Sequence, residues 1–160
     1  MKRREFLALM GAAAAGAPLS ARGQPMMRRV ALSMATSASD PEGRARLDAF
    51  LQALQGFGWI DGRNVRIDIR WTEGNIERTR DVAAEFVALQ PDVIVANSTP
   101  SAHAMKRATS TIPVVFVLVN EPVAQGIIAS VARPGGNITG FTMVDFSLVG
   151  KLVELLKTVA

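Results

Sequence analysis

The chain has 160 residues, 49% of them hydrophobic, with 18 Lys and Arg against 14 Asp and Glu, one His and no Cys. That composition belongs to a globular protein, and the length suits one ordinary domain or one lobe of a larger protein. The lack of Cys excludes disulfides, thiolate metal sites and a Cys nucleophile, and a single His excludes any site that needs two imidazoles.

The N-terminus reads as an address. Lys2, Arg3 and Arg4 form a basic start, residues 6–21 are uncharged and mostly apolar or small, and Ala21-Arg22-Gly23 places small residues at the −3 and −1 positions of a cleavage site. This layout predicts an export signal over residues 1–23, with Gln24 as the new N-terminus. Arg3-Arg4 followed by Glu5-Phe6-Leu7 resembles the twin-arginine form of such signals. The uncharged run is about 24 Å long as a helix, short of a bilayer core. Removing residues 1–23 takes away Lys2, Arg3, Arg4 and Arg22 with Glu5, leaving 14 cations against 13 anions. Arg63, Arg66 and Arg70 alternate with Asp61 and Asp68, so no basic stripe remains and no nucleic-acid partner is expected.

The rest alternates strand and helix. Residues 30–34 are a short apolar run, read as the first strand. Leu47, Phe50, Leu51 and Leu54 come next at helical spacing, with Gly56 and Gly58 to end the helix. Val65, Ile67, Ile69 and Trp71 alternate with Arg66, Asp68 and Arg70, which predicts a strand near a sheet edge with one apolar and one charged face. A second helix carries Thr79, Val82, Ala83, Phe86 and Val87 and stops before Pro91. Residues 93–96 and 114–119 are apolar throughout, as central parallel strands are. Thr99-Pro100 opens a third helix and Glu121-Pro122 a fourth. After the turn Pro134-Gly135-Gly136-Asn137, residues 138–143 form a fifth strand. A last helix places Leu148, Val149, Leu152, Leu155, Leu156 and Val159 on one face. Five strands alternating with five helices predict an α/β fold, a doubly wound parallel sheet in the order 2-1-3-4-5. Ala160 falls inside the last amphipathic pattern, which is expected to continue in a longer protein.

In such a sheet, ligands sit beyond the carboxyl ends of the strands. The loops there are residues 35–40, 97–101, 120–122 and 142–147, rich in Ser, Thr and Asn. The second joins a buried strand to a helix N-terminus, where free N–H groups and the helix dipole favour an anion. Ser98 and Thr99 either supplement those groups around a ligand carboxylate or serve as N-caps. Glu121 either binds a ligand ammonium group or caps the helix at Pro122. Asp40 reads as a turn or cap residue, His103 as a packing or surface residue, and Trp59 and Trp71 as packing residues near the sheet edge. Asn137-Ile138-Thr139 matches a glycosylation sequon but overlaps a strand. No nucleophile elbow, phosphate loop or dinucleotide fingerprint comes after any strand, and no paired His offers a metal site. Neither a catalytic residue nor a cofactor is expected.

Residues 1–24 resemble the exported N-terminus of the ABC-transporter substrate-binding proteins of the tryptophan/tyrosine type, which have the type I periplasmic-binding fold. The likeness continues through Phe57-Gly58-Trp59-Ile60-Asp61-Gly62-Arg63-Asn64-Val65, Arg70-Trp71-Thr72-Glu73-Gly74 and Pro91-Asp92-Val93-Ile94-Val95-Ala96. It also includes Thr109-Ser110-Thr111-Ile112-Pro113-Val114-Val115-Phe116-Val117 and Arg133-Pro134-Gly135-Gly136-Asn137-Ile138-Thr139-Gly140. The resemblance implies the solute-binding component of an ABC importer, a periplasmic, non-enzymatic monomer. It would close two lobes on a small organic solute such as an amino acid and deliver it to a membrane permease. It assigns residues 24–145 to the first lobe and 146–160 to a helix leading toward a second lobe. Carried over, the ligand contacts are Ser37, Asn97, Ser98, Thr99, Asn120 and Glu121. Where the family often has Gly-Thr-Pro-Ala this chain has Ser98-Thr99-Pro100-Ser101, and where it often has Asp-Pro this chain has Glu121-Pro122. The alternative is a ligand-sensing module of an extracytoplasmic receptor, which would share fold and pocket. An exported α/β enzyme using Asp40 or Glu121 is the third expectation.

Overall fold

The computed structural model describes residues 27–143 and 154–158. The expected export signal lies outside them. Of the expected last helix, residues 154–158 are described and are helical.

Five strands form one parallel sheet: β1 (Arg28–Met34), β2 (Val65–Trp71), β3 (Val93–Asn97), β4 (Val114–Val119) and β5 (Ile138–Thr142). Their spatial order is β2-β1-β3-β4-β5, as the alternation requires. Three helices make the first crossovers: α1 (Pro41–Gly56), α2 (Ile76–Leu89) and α3 (Thr99–Ala108). Each begins on a side-chain cap. Asp40 Oδ2 accepts from Gly43 N at 2.9 Å, Asn75 Oδ1 from Arg78 N at 2.9 Å, and Ser98 Oγ from Ser101 N at 3.2 Å. Such caps satisfy N–H groups that have no partner inside the helix. α1 ends at Gly56, and Gly58 takes the left-handed turn beyond it (φ 85°). α2 closes on left-handed Gln90 ahead of Pro91.

The helix expected after Glu121-Pro122 does not form. Residues 121–130 make a tight turn in which Ile127 N and Ile128 N both return to the Pro122 carbonyl. Gly126 sits in the left-handed region (φ 66°), which breaks a right-handed helix before its second turn. Ile127 and Ile128 still bury their side chains, so the crossover covers the sheet without being helical.

The two faces of the sheet differ. Under α2 and α3 lies the main core, built around Phe86, Ile94, Met105, Phe116 and Val119, all 1% exposed or less. Under α1 the fully buried set is Leu32, Met34 and Val95, and Leu47, Phe50, Ile69, Trp71 and Val117 are only half-buried. An apolar hollow of about 670 Å³ remains beside α1, lined by Leu47, Phe50, Val95, Val115, Val117 and Phe141.

The charged face of β2 is tied by ion pairs, with Asp68 buried and Arg66 exposed. Asp68 is buried because Arg29 Nε of β1 donates to its Oδ2 at 2.6 Å, with Arg66 Nε 3.4 Å from Oδ1. Arg70 pairs with Glu85 of α2. The hydrogen bond from Arg29 holds the Asp68 carboxyl below the usual carboxylate range, against the opposing effect of burial. Asp92, ahead of β3, is lowered likewise by bonds from the Arg29 backbone N–H and the Arg28 guanidinium. These ties knit β1, β2 and β3 at the end of the sheet opposite the ligand loops.

Candidate functional site

β1 leads leftward through α1 to β2, and β3 leads rightward through α3 to β4. The strand order therefore reverses between β1 and β3, and the loops leaving their carboxyl ends diverge there. The Asn120–Glu121 segment leaves β4 next door.

The loop after β1 is tied to the loop after β2. Thr72 N donates to Met34 O at 2.8 Å, Gly74 N to Ala35 O at 2.7 Å, and Thr72 Oγ1 also reaches Met34 O at 3.2 Å. Ser37 Oγ lies 3.0 Å from Ser39 Oγ, and the Ser37 carbonyl accepts from Asp40 N. α1 then passes so close that a side-chain carbon at Gly43 would collide with Thr36 Oγ1 and press on Trp71. Thr36 Oγ1 is buried there without a hydrogen-bond partner. Residue 36 was invisible to pattern reading, because a lone Thr in a polar loop carries no signal.

Asn97 is the last residue of β3, buried, level with Met34 and Val117. Ser98 is the N-cap of α3. Its hydroxyl also donates to Ser101 Oγ at 3.0 Å, and Ser101 in turn shares a 3.1 Å hydrogen bond with Ser33 in the buried floor. The helix thus spends most of its own first-turn donors. Pro100 has none, Ser101 N donates to Ser98 Oγ, and Ala102 N donates to Ser98 O at 3.0 Å. The Thr99 N–H, at the first helical position, has no partner inside the helix. Thr99 also lines a groove between α2 and α3 with Arg80, His103 and Arg107.

At β4 the strand bulges between Phe116 and Val119, with Leu118 in the left-handed region (φ 56°). A bulge at a strand end re-aims the residues after it. Here the residue re-aimed is Asn120, its Oδ1 buried without a hydrogen-bond partner and its carbonyl accepting from Gln125 Nε2 at 3.1 Å. Glu121 is also left-handed (φ 47°) and, with no helix after it, is not a helix cap. The left-handed residues at 118 and 121 bracket Asn120, and backbone strain of this kind collects at ligand-contact sites. No sequence signal marked Leu118, since Leu is not a turn residue.

The remaining candidates have structural roles. Asp40 caps α1. His103 Nε2 lies 3.3 Å from Gln125 Oε1, and Trp71 packs on the α1 side of the sheet. Asn137 Nδ2 donates to the carbonyls of Ile112 at 2.7 Å and Thr109 at 3.3 Å, which commits the sequon side chain to the loop before β4. Among the described residues no three His, Asp or Glu side chains cluster as metal ligands would.

Comparison with known proteins agrees with this fold. Residues 32–160 match the family model described as ABC transporter substrate binding protein. A tyrosine-binding protein of Clostridioides difficile (strain R20291) is 38% identical over 109 residues, a match spanning 68% of this chain and 31% of that protein. Among solved structures, a conserved domain protein from Vibrio cholerae O1 superposes with a TM-score of 0.71 at 34% identity, over 82% of this chain and 43% of that one. The ligand-free, open form of a substrate-binding protein with adhesive properties from Clostridium difficile gives 0.70 at 32% identity, over 82% and 43%. An ABC domain from Streptococcus pneumonia in complex with L-Trp gives 0.61 at 25% identity, over 72% and 38%. The chain spans less than half the length of each of these relatives.

Proposed function

Because the chain belongs to the family of ABC transporter substrate-binding proteins, we propose that it is the first lobe of an extracytoplasmic solute-binding component that hands an amino acid to a membrane permease. Members of this family bind and do not catalyse. The tyrosine-binding relative and the L-Trp complex support an amino acid, and an aromatic one in particular. Residues 1–23 act as the export signal, and the functional protein is a monomer of two lobes that close on the solute by a hinge.

One observation carries the site: Asn120 Oδ1 is a buried acceptor without a partner, beyond the end of β4 and next to the strand ends where the order reverses. Buried polar atoms are nearly always paired, so an orphan beside a crevice is matched by a ligand donor. The solute ammonium group fits that acceptor, with Glu121 alongside. The Thr99 N–H takes the carboxylate, with Ser98 holding that turn in place and Ser37 and Asn97 at the rim. Pockets of this class enclose most of the ligand surface, so one lobe alone binds weakly and the second lobe supplies the tight state.

The test is calorimetric titration of L-tyrosine and L-tryptophan into a form carrying both lobes. Asn120→Ala weakens binding at least tenfold, the size of a lost hydrogen bond to a charged group. Joint replacement of Ser98 and Thr99 by Ala weakens it as well. Unchanged affinity in both variants removes the site from these loops.

A further inference from the structure

The groove between α2 and α3 carries an arginine from each helix. Arg28, Arg29, Arg46, Arg66, Arg70 and Arg78 each pair with a carboxylate. Arg80 on α2 and Arg107 on α3, like Arg44, Arg63 and Arg133 elsewhere, have no acidic partner among the described residues, and these two line one groove. An apolar strip of Ile76, Pro100 and Ala104 lines the same groove, with Ile76 50% exposed and Ala104 buried. His103 adds a half-buried imidazole, held by Gln125. The hollow measures about 310 Å³ and opens to solvent.

We propose that this groove is a docking surface for an acidic segment of a partner protein, one that sets an apolar side chain on the strip and a carboxylate against each guanidinium. The inference does not depend on the solute-binding reading. Arginine pairs with carboxylate in a planar two-point geometry, and cations left unpaired on opposite walls of one groove form the complement of an acidic chain. The concave shape favours a peptide over a flat bilayer. The apolar strip beside the charges favours a peptide over a free inorganic anion, which would gain nothing from it. Ile76 and Pro100 lie in the first turns of α2 and α3, so the groove begins beside the crevice loops and an occupant would flank the solute site.

The probe is a fluorescein-labelled Glu-Glu-Leu-Glu-Glu peptide, followed by anisotropy on the full chain at 20 mM NaCl. Its Gln-Gln-Leu-Gln-Gln counterpart is the neutral control. The acidic peptide binds at least tenfold tighter than the neutral one, and added salt weakens it. The pair Arg80→Glu and Arg107→Glu abolishes the difference, and the pair Arg80→Gln and Arg107→Gln reduces it. Arg63→Glu with Arg133→Glu, exposed and outside the groove, changes net charge equally and leaves binding within twofold. The urea midpoints of all variants match the parent, which separates lost docking from lost folding. Equal binding of the two peptides, or equal losses from the groove pair and the control pair, overturns the proposal. Full competition by inorganic phosphate overturns it in favour of a small-anion site. Arginine-dependent binding to phosphatidylglycerol vesicles without peptide binding overturns it in favour of a membrane.

Discussion

The two faces of this sheet use the same strands and reach different ends. On the α2–α3 face, alternate residues of the four strands β1, β3, β4 and β5 meet two helices and the 121–130 turn, and the core closes to near-zero exposure around Phe86, Ile94 and Phe116. On the other face, α1 is the helix packed on the sheet among the described residues. It covers β1 and β2 and leaves Val115, Val117 and Phe141 against an apolar hollow. Burial of apolar area, and with it stability, is therefore concentrated on one side, while the crevice loops hang on strands that both sides hold. A helix covers only a strip about 10 Å wide, so the number of helices on a face sets how much of it is packed.

Three substitutions probe that contrast, in falling order of expected effect. Phe86→Ala, on the closed face, leaves a cavity with nothing to refill it and costs about 3–5 kcal/mol in urea unfolding. Asp68→Ala cuts the bond between β1 and β2 beneath the α2 side and leaves Arg29 without its carboxylate, a loss of about 2 kcal/mol at neutral pH. Phe50→Ala, on the open face, removes a side chain already half in water and costs about 1 kcal/mol. Equal losses for Phe86 and Phe50 would erase the distinction between the faces.

Acid sharpens the second of these. Asp68 and Asp92 have folded-state pKa values depressed by Arg29 and Arg28. Their contribution is fully present above the unfolded carboxylate range and is lost as pH falls through the lower folded values. The stability gap between the parent and Asp68→Ala is thus constant from about pH 6 to pH 8 and shrinks below about pH 4. A gap that persists at about pH 2 would assign Asp68 a packing role and not an ionic one.

Strand order was legible because it depends only on crossover length and hydrophobic period. Alternation along residues 65–71 marked the edge strand even though its charged residues turned out to be paired, since a buried Asp and an exposed Asp look alike in a sequence. The crossover after β4 misled the pattern because Pro122 starts a helix and a wall alike, and the break at Gly126 becomes decisive only when Ile127 and Ile128 must both face the sheet. The site was half legible. Its loops come from topology, and Asn97, Ser98 and Asn120 lie where those loops begin. The direction of each side chain was not legible. Ser98 caps α3, Thr99 also lines the α2–α3 groove, and the bulge ahead of Asn120 lies in the pairing of β4 with β5. Thr36 became visible only once α1 had been laid against it.

The most direct test of the solute-binding account is a two-dimensional amide NMR titration of this chain with L-tryptophan, which reads weak binding residue by residue. Shifts centred on residues 36–39, 97–99 and 120–121, absent in Asn120→Ala, are the predicted result. Shifts confined to the apolar hollow beside α1 or to the α2–α3 groove, or none up to saturation, would contradict it.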